Sequence, residues 1–525
     1  MKKGTVVKFK NKNQKSNFIR GRLGNKLTEE VSSFIGSTKE DKRMATIDVM
    51  VDQAHNLMLA KQGIIPIEDA KRIIAALIEV GEKLKNNELE IDLDSLDVHP
   101  FIEQCVIEKS SMAVGGKMHT AKSRNDQVVT DMRIYIRGQI IEIAELLLDF
   151  IGTLLKRAKD LNTVIMPGYT HRQHAQVTTF GHYLLAYVEK FVLDVDRFLE
   201  AYKRVNLSPL GAGALLGTSF DIDRKYTADL LGFDGIIENT IDAVSSRDFV
   251  FETSSKISLI MSGLSRMADD LIEWSTYEYQ FVTLSDDYCD ISSAMPQKRN
   301  PDVLEIIRAK GTTVAGLNSQ IANTLTGLRT GYSKDLQEVK RYLWDSIDTV
   351  KISLSLMAKI IESMTVNEQK MKDVVELNHV TATDLTEYLV RKKNLSFREA
   401  YLVVGELVNV LEKNLEKDPP KGGRFVDLTS EEIEKAAWDI INKHLDVSND
   451  ELIKATDPVQ SIEQRTNIGG PRPDLTAEYI GMAYVFKKTN ESILQNLKEK
   501  ESNAQKKLNE AMQKLLSDNL ITEVS

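Results

Sequence analysis

The stretch Ser285–Lys310, SDDYCDISSAMPQKRNPDVLEIIRAK, concentrates side chains that could handle an anion or a proton. Ser292 and Ser293 bring hydroxyls, Lys298 and Arg299 bring cations, and Asn300 brings an amide just before Pro301, which suits the first turn of a helix. Such a loop can hold a carboxylate, a nucleophile or a base. An ordinary surface loop running into a helix would carry the same pattern. A second stretch, Gly115–Arg137, crowds Lys122, Ser123, Arg124 and Asn125 behind Lys117 and His119. Arginine can grip a carboxylate with two parallel bonds, so this density of donors suits a dicarboxylate, although a solvated charged loop would also account for it. A third follows Pro167–Gly168, where Thr170, His171, Gln173 and His174 are read as the polar start of a helix. Histidine carries protons near neutral pH, and a helix start would favour its neutral form. A structural histidine bonded in the core is the plainer alternative.

Weaker signals lie elsewhere. Asp97 and His99 are one residue apart before Pro100, as in many turns. Ser37 and Thr38 precede Glu40 and Asp41 in the manner of a helix cap. The glycine-rich run Asn206–Arg224 lacks the Gly-Lys-Ser/Thr ending of a phosphate loop.

The elements that must position these groups are helical. Apolar residues recur at steps of three and four from Met44 to Lys85, with Pro66 starting a second helix. Long helical patterns cover Val128–Lys159, the segment after Gln176, Phe249–Tyr279, Pro301–Leu325 and residues 345–370. Five such helices of about 25–40 residues, each with one apolar face, predict a bundle. Their remaining apolar surface favours association of several chains. Asn378–Ala455 reads as a smaller helical domain, with EKDPPKGGR as an exposed loop. From Tyr479 a stripe at Ile493, Leu497, Ala504, Leu508, Ala511 and Leu515 follows a heptad, interrupted by Glu501. That stripe fits a helix packed on its own subunit as well as a coiled coil with a partner.

The 525 residues are 42% hydrophobic, enough for a large core, with only 11 prolines to interrupt helices. A net charge of −9 argues against nucleic acid as the partner. Two cysteines, Cys105 and Cys289, provide neither a disulfide framework nor a metal cluster, as suits a reducing cytoplasm. No apolar run approaches the ~18 residues of a membrane span, and the basic start MKKGTVVKFKNKNQKSN lacks a signal core.

SSAMPQKRNP resembles the GSSxMPxKxNP motif of the fumarase/aspartase superfamily, lyases that eliminate a group from a succinyl substrate and release fumarate. GGKMHTAKSRNDQ, GYTHRQHAQ, PLGAGALLG, NTIDAVSSRDF, YSKDLQEVK and DPVQSIEQRTNIGGPRP resemble, in order, segments of the argininosuccinate lyases, across residues 18–480. The resemblance implies an all-α, three-domain fold whose long helices form a twenty-helix core in a homotetramer, with each active site shared between subunits. The divisions expected are a flexible leader at 1–17, helical domains at 18–121, 122–370 and 371–480, and a helical extension at 481–525. Residue by residue, it implies Ser292 as base, with Lys298 beside it, and His171 with Thr170 as the acid region. Ser37, Ser123, Arg124, Asn125, Arg247, Asn300, Tyr332, Gln337 and Lys340 would bind substrate, and Asp97 and His99 would support them. The implied substrate is argininosuccinate, used in the cytoplasm for arginine synthesis without metal or organic cofactor. SSAMPQKRNP and TTFG leave an adenylosuccinate-type lyase as a rival, which SRNDQ and KDLQE oppose. A catalytically silent, crystallin-like scaffold is the other alternative.

Overall fold

A computed structural model describes residues 27–91, 96–377, 379–417 and 425–517. The leader expected at 1–17, and residues 418–424 of the EKDPPKGGR loop, lie outside them.

The N-terminal layer is built from α1 (Ala45–Lys61), α2 (Ile67–Lys85) and α3 (Val98–Ser110). The chain then enters α4 (Arg124–Asp160), which starts at Ser123 with a reciprocal capping box to Asp126. A hairpin of β1 (Ile165–Thr170) and β2 (Gln173–Thr179) leads into α5 (Phe180–Val205), and α6 (Asp248–Trp274) follows the glycine-rich connection. Two short strands, β3 (Asp290–Ile291) and β4 (Arg299–Asn300), pair antiparallel before α7 (Asp302–Leu325) and α8 (Val339–Ser363). The chain closes on α9 (Pro473–Ser517).

The five long helices α4 to α8 bury one continuous core that includes Phe150, Phe191, Met261, Leu264 and Ile347. Phe150 and Phe191 lie 5.2 Å apart between α4 and α5. The last of these helices starts earlier than the apolar spacing suggested and ends at Ser363, not near residue 370. Thr365 and Val366 leave it to pair with Val282 and Thr283 in a two-stranded ladder. The all-α expectation holds, with four small ladders as its only strands among the described residues. The N-terminal layer has its own core around Met58, Ile73, Leu77 and Phe101. Helices within 382–456 bury a third around Leu385, Val403 and Ile433.

The terminal stripe packs on its own subunit. Ile480, Ala483 and Leu494 of α9 join the central core, while Leu508 and Met512 join the N-terminal one. The polar break at Glu501 has a partner: its carboxylate lies 3.1 Å from Nε of Arg137 on α4. Arg137 is buried and also donates to Asn206 Oδ1 (2.8 Å) and to the Leu231 carbonyl (2.7 Å). Glu501→Ala removes the only carboxylate in contact with this guanidinium among the described residues. We expect it to cost about 1–3 kcal/mol in chemical denaturation, far above a change at an exposed position of the same helix.

Candidate functional site

The largest group of expected residues gathers at the start of α4. Arg124 sits in the first turn, pairs with Asp97, and donates to the Tyr332 hydroxyl (2.7 Å) and to Gln337 Oε1 (3.4 Å). Burial would lower the Arg124 pKa, but Asp97 and Tyr332 outweigh it and raise it. Gln337 in turn donates to the Ile35 carbonyl (3.2 Å), which ties in the segment carrying Ser37. Ser37 does not cap the helix after it; its hydroxyl donates instead to Asp41 Oδ2 (2.6 Å). Asp41 also pairs with Lys340, whose side chain is fully buried. Asp41 is thus a site residue that the sequence offered only as part of a cap.

Asn125 donates to the Ala214 carbonyl (2.9 Å), fixing the glycine-rich connection against the helix start. Asp126 completes the tie by accepting from the backbone N–H of Gly211 (2.9 Å) and Gly213 (2.8 Å). Gly213 has φ +64° and its missing Cβ would stand 2.6 Å from the Gly217 carbonyl, so only glycine fits there. Arg247 is buried next to this group and donates to the carbonyls of Val244 (3.1 Å) and Ser246 (2.8 Å), while its Nε has no partner. Burial, together with Arg133 and Arg124, pushes its pKa down to about 10. Asp97 and His99 meet different partners: Asp97 faces Arg124, whereas His99 Nδ1 turns inward to Asp48 Oδ1 (2.8 Å).

The other two groups stand apart from the first. Thr170 and His171 are not at a helix start. Thr170 ends β1, and His171 and Arg172 form a two-residue hairpin turn with φ of 55° and 59°. Positive φ at both central positions matches the twist of a tight hairpin, at a cost for side chains with a Cβ. Arg172 anchors the turn to α6 through Asp269 (2.9 Å) and Glu273 (3.3 Å), which leaves His171 at the tip. The helix-dipole argument for its charge therefore falls away. A cavity of about 710 Å³ opens beside this hairpin, lined by Thr170, Arg172, Asp270 and Gly469 among others.

Ser292, Lys298 and Asn300 lie on or beside the exposed tip between β3 and β4. The Ser292 oxygen accepts from the backbone N–H of Ala294 (3.3 Å) and Met295 (3.1 Å). Two donors on one hydroxyl oxygen favour negative charge there. Arg299 fixes the loop base by donating to the Leu284 carbonyl (2.8 Å) and pairing with Asp286 (2.6 Å). Among the described residues no hydrogen bond or ion pair joins the three groups.

Comparisons with known proteins fit this architecture. Residues 21–316 match the family described as Lyase, and residues 379–463 match the argininosuccinate lyase C-terminal family. A solved EDDS lyase in complex with formate superposes with a TM-score of 0.82 at 30% identity, over 94% of this chain and 97% of that one. A class II fumarase from Schistosoma mansoni shares the fold, with a TM-score of 0.68 at 15% identity over 85% of this chain and 97% of that one. The fold is that of the fumarase/aspartase lyases. An argininosuccinate lyase from Methanocaldococcus jannaschii is 40% identical over 87% of this chain and 91% of its own length. One from Oceanobacillus iheyensis is 40% identical over 88% and 97%. The chain belongs to the argininosuccinate lyase family.

Asp126→Ala should free three backbone donors at once and loosen the loop under Asn125. The expected loss is about 2–4 kcal/mol in chemical denaturation, more than an ordinary lost cap.

Proposed function

We propose that the chain cleaves 2-(N-omega-L-arginino)succinate to L-arginine and fumarate in the cytoplasm, the last step of arginine synthesis, and that its three separate residue groups meet only in a homotetramer. The observation that carries the reading is the Arg124–Tyr332–Gln337 group with buried Arg247 beside it, two guanidinium groups brought together at the start of α4. Ser292, ionised to its alkoxide, takes the proton from the carbon next to a succinyl carboxylate and becomes the neutral hydroxyl. The added charge is stabilised by Lys298, Asn300 and the guanidinium groups as an aci-carboxylate. The C–N bond then breaks, its electron pair leaves on the guanidino nitrogen, and His171, with Thr170 beside it, supplies the proton to that nitrogen. Ser123 and Asn125 complete the binding surface, and Ser37 and Lys340, both buried against Asp41, hold it from behind. The two backbone donors on Ser292 support its role, since an ordinary serine hydroxyl is a poor base.

Assembly is supported by the bundle itself. α7 buries only Leu304, Ile307, Val314 and Ile321 in the isolated chain, and leaves Ile306 exposed. Ile352 on α8 and Leu259 on α6 are likewise open. Helices of this length with one unpartnered face bury it against other copies. The division into domains at 18–121, 122–370 and 371–480 belongs to the same reading.

Purified protein should release fumarate, followed by ultraviolet absorbance, from argininosuccinate and not from adenylosuccinate. Release from adenylosuccinate alone would reverse the substrate assignment. Ser292→Ala should lower kcat by about a hundred- to ten-thousand-fold with the fold intact; unchanged turnover would remove Ser292 as base. Light scattering should give a tetramer, and a stable, active monomer would sink the shared site.

A further inference from the structure

Behind the Arg124 group lies a second polar cluster that the reaction does not use. Arg124, Gln127 and Asp131 follow at i, i+3 and i+7, so α4 turns all three toward the N-terminal layer. Asp48 and Asp52, four apart on α1, face them, with His99 from α3 between. Asp48 Oδ1 accepts from His99 Nδ1 (2.8 Å) and from Gln127 Nε2 (2.5 Å), and Asp52 Oδ1 accepts from Gln127 (3.1 Å) and pairs with Lys122. Asp131 is fully buried, and neither of its oxygens meets a donor. Oxygens of its carboxyl and of Asp48, whose Oδ2 is also without a donor, lie within 4.8 Å of one another, and Asp131 is 3.7 Å from His99 Nδ1.

The charges do not cancel if every group is ionised. Three carboxylates would face two cations, Lys122 and a protonated His99. One buried negative charge would be left over, which the interior does not tolerate. A single proton between Asp131 and Asp48 removes that charge and gives both orphaned carboxyls a partner. We propose that Asp131 is a positioning residue that works protonated, donating to Asp48, and that this neutral interlock holds His99, and through it Asp97, against Arg124. The proposal rests on the reading of Arg124 as a substrate-binding group.

Burial, and then the charge of Asp48, hold the Asp131 carboxyl well above its ordinary range. Burial also raises the Asp52 carboxyl, to about 6, with Lys122 opposing and Asp48 adding to the effect. Burial opposes a charged His99, but Asp48 outweighs it, and Asp97 adds to the effect while Arg124 opposes it. Lys122 is likewise raised against burial by Asp52 and Asp48, with Glu103 adding to the effect. His55, on the far side of Lys122, has its pKa pushed down to about 3 by burial and stays neutral, with Nε2 2.7 Å from the Thr120 carbonyl.

The sign of the pH dependence follows. A carboxyl whose folded pKa is raised contributes stability that is complete below the ordinary carboxyl range and is lost as pH rises through the folded value. The test is infrared spectroscopy of the full-length protein near neutral pH, beside thermal midpoints and kinetics across pH. The wild type should show the carbonyl stretch of a protonated carboxylic acid that is absent from Asp131→Asn. Asparagine can donate to Asp48 as the acid does, so that variant should fold normally and lose less stability on the alkaline side. Asp131→Ala should raise KM more than it lowers kcat, and Asp131→Asn should restore most of that loss. No difference band, an Asp131→Asn as damaged as Asp131→Ala, or a stoichiometric divalent ion bound by Asp48, His99 and Asp131 would each overturn the proposal. The band does not depend on turnover, so a wrong substrate assignment would leave it in place.

Discussion

The structure depends on holding a guanidinium at the wrong end of a helix. Arg124 opens α4, where the backbone already exposes positive partial charge, so its cation needs acceptors from elsewhere. Asp97 supplies the counter-charge from the N-terminal layer, while Tyr332 and Gln337 supply neutral oxygens from the segment before α8. Two distant parts of the chain therefore converge on one residue. Each is fixed by its own inner partner: Asp97, at the start of α3, by His99 on Asp48, and Gln337 by the Ile35 carbonyl. Asp97 meets only Nε, and the other two nitrogens meet the neutral oxygens of Tyr332 and Gln337, so the guanidinium is not closed in a bidentate pair.

The hairpin that carries His171 obeys a different constraint. A two-residue turn with φ positive at both positions usually has glycine or asparagine, and here the positions are histidine and arginine. The cost is offset by Arg172, whose two ion pairs with α6 fix the turn from below. A residue held at such a tip can reach beyond its own chain, and the Ser292 tip between β3 and β4 has the same character. Both tips belong to short strand pairs emerging from long helices, so their aim is set by rigid rods.

Much of this was legible from residue order. The long helices follow from apolar spacing, and the family follows from several unlike motifs occurring in one sequence order. What failed did so for physical reasons. β1 and β2 carry no clean alternation, because both faces of the hairpin are partly covered and a bulge falls between Pro167 and Tyr169; polar residues before an apolar run then imitate a helix start. Ser37 looked like a cap because a cap and an inward hydrogen bond ask for the same residue type. The fifth helix was misplaced because its first turn buries Lys340, and a buried lysine does not mark an apolar face. Asp48, His99 and Asp131 are invisible as a set, since their meeting depends on how layers stack and not on spacing within any one helix.

The C-terminal helix shows the same limit from the other side. Glu501 breaks a heptad stripe, and read alone it weakens the case for packing at that point. In place, it sits opposite Arg137, whose buried guanidinium has its other nitrogens occupied by Asn206 and the Leu231 carbonyl. The break is therefore a register mark: moving α9 by one turn would set an apolar residue against the guanidinium and Glu501 against a core position. Because Leu494 and Leu508 flank it in two different cores, one ion pair fixes how the N-terminal layer and the bundle stand along the same rod.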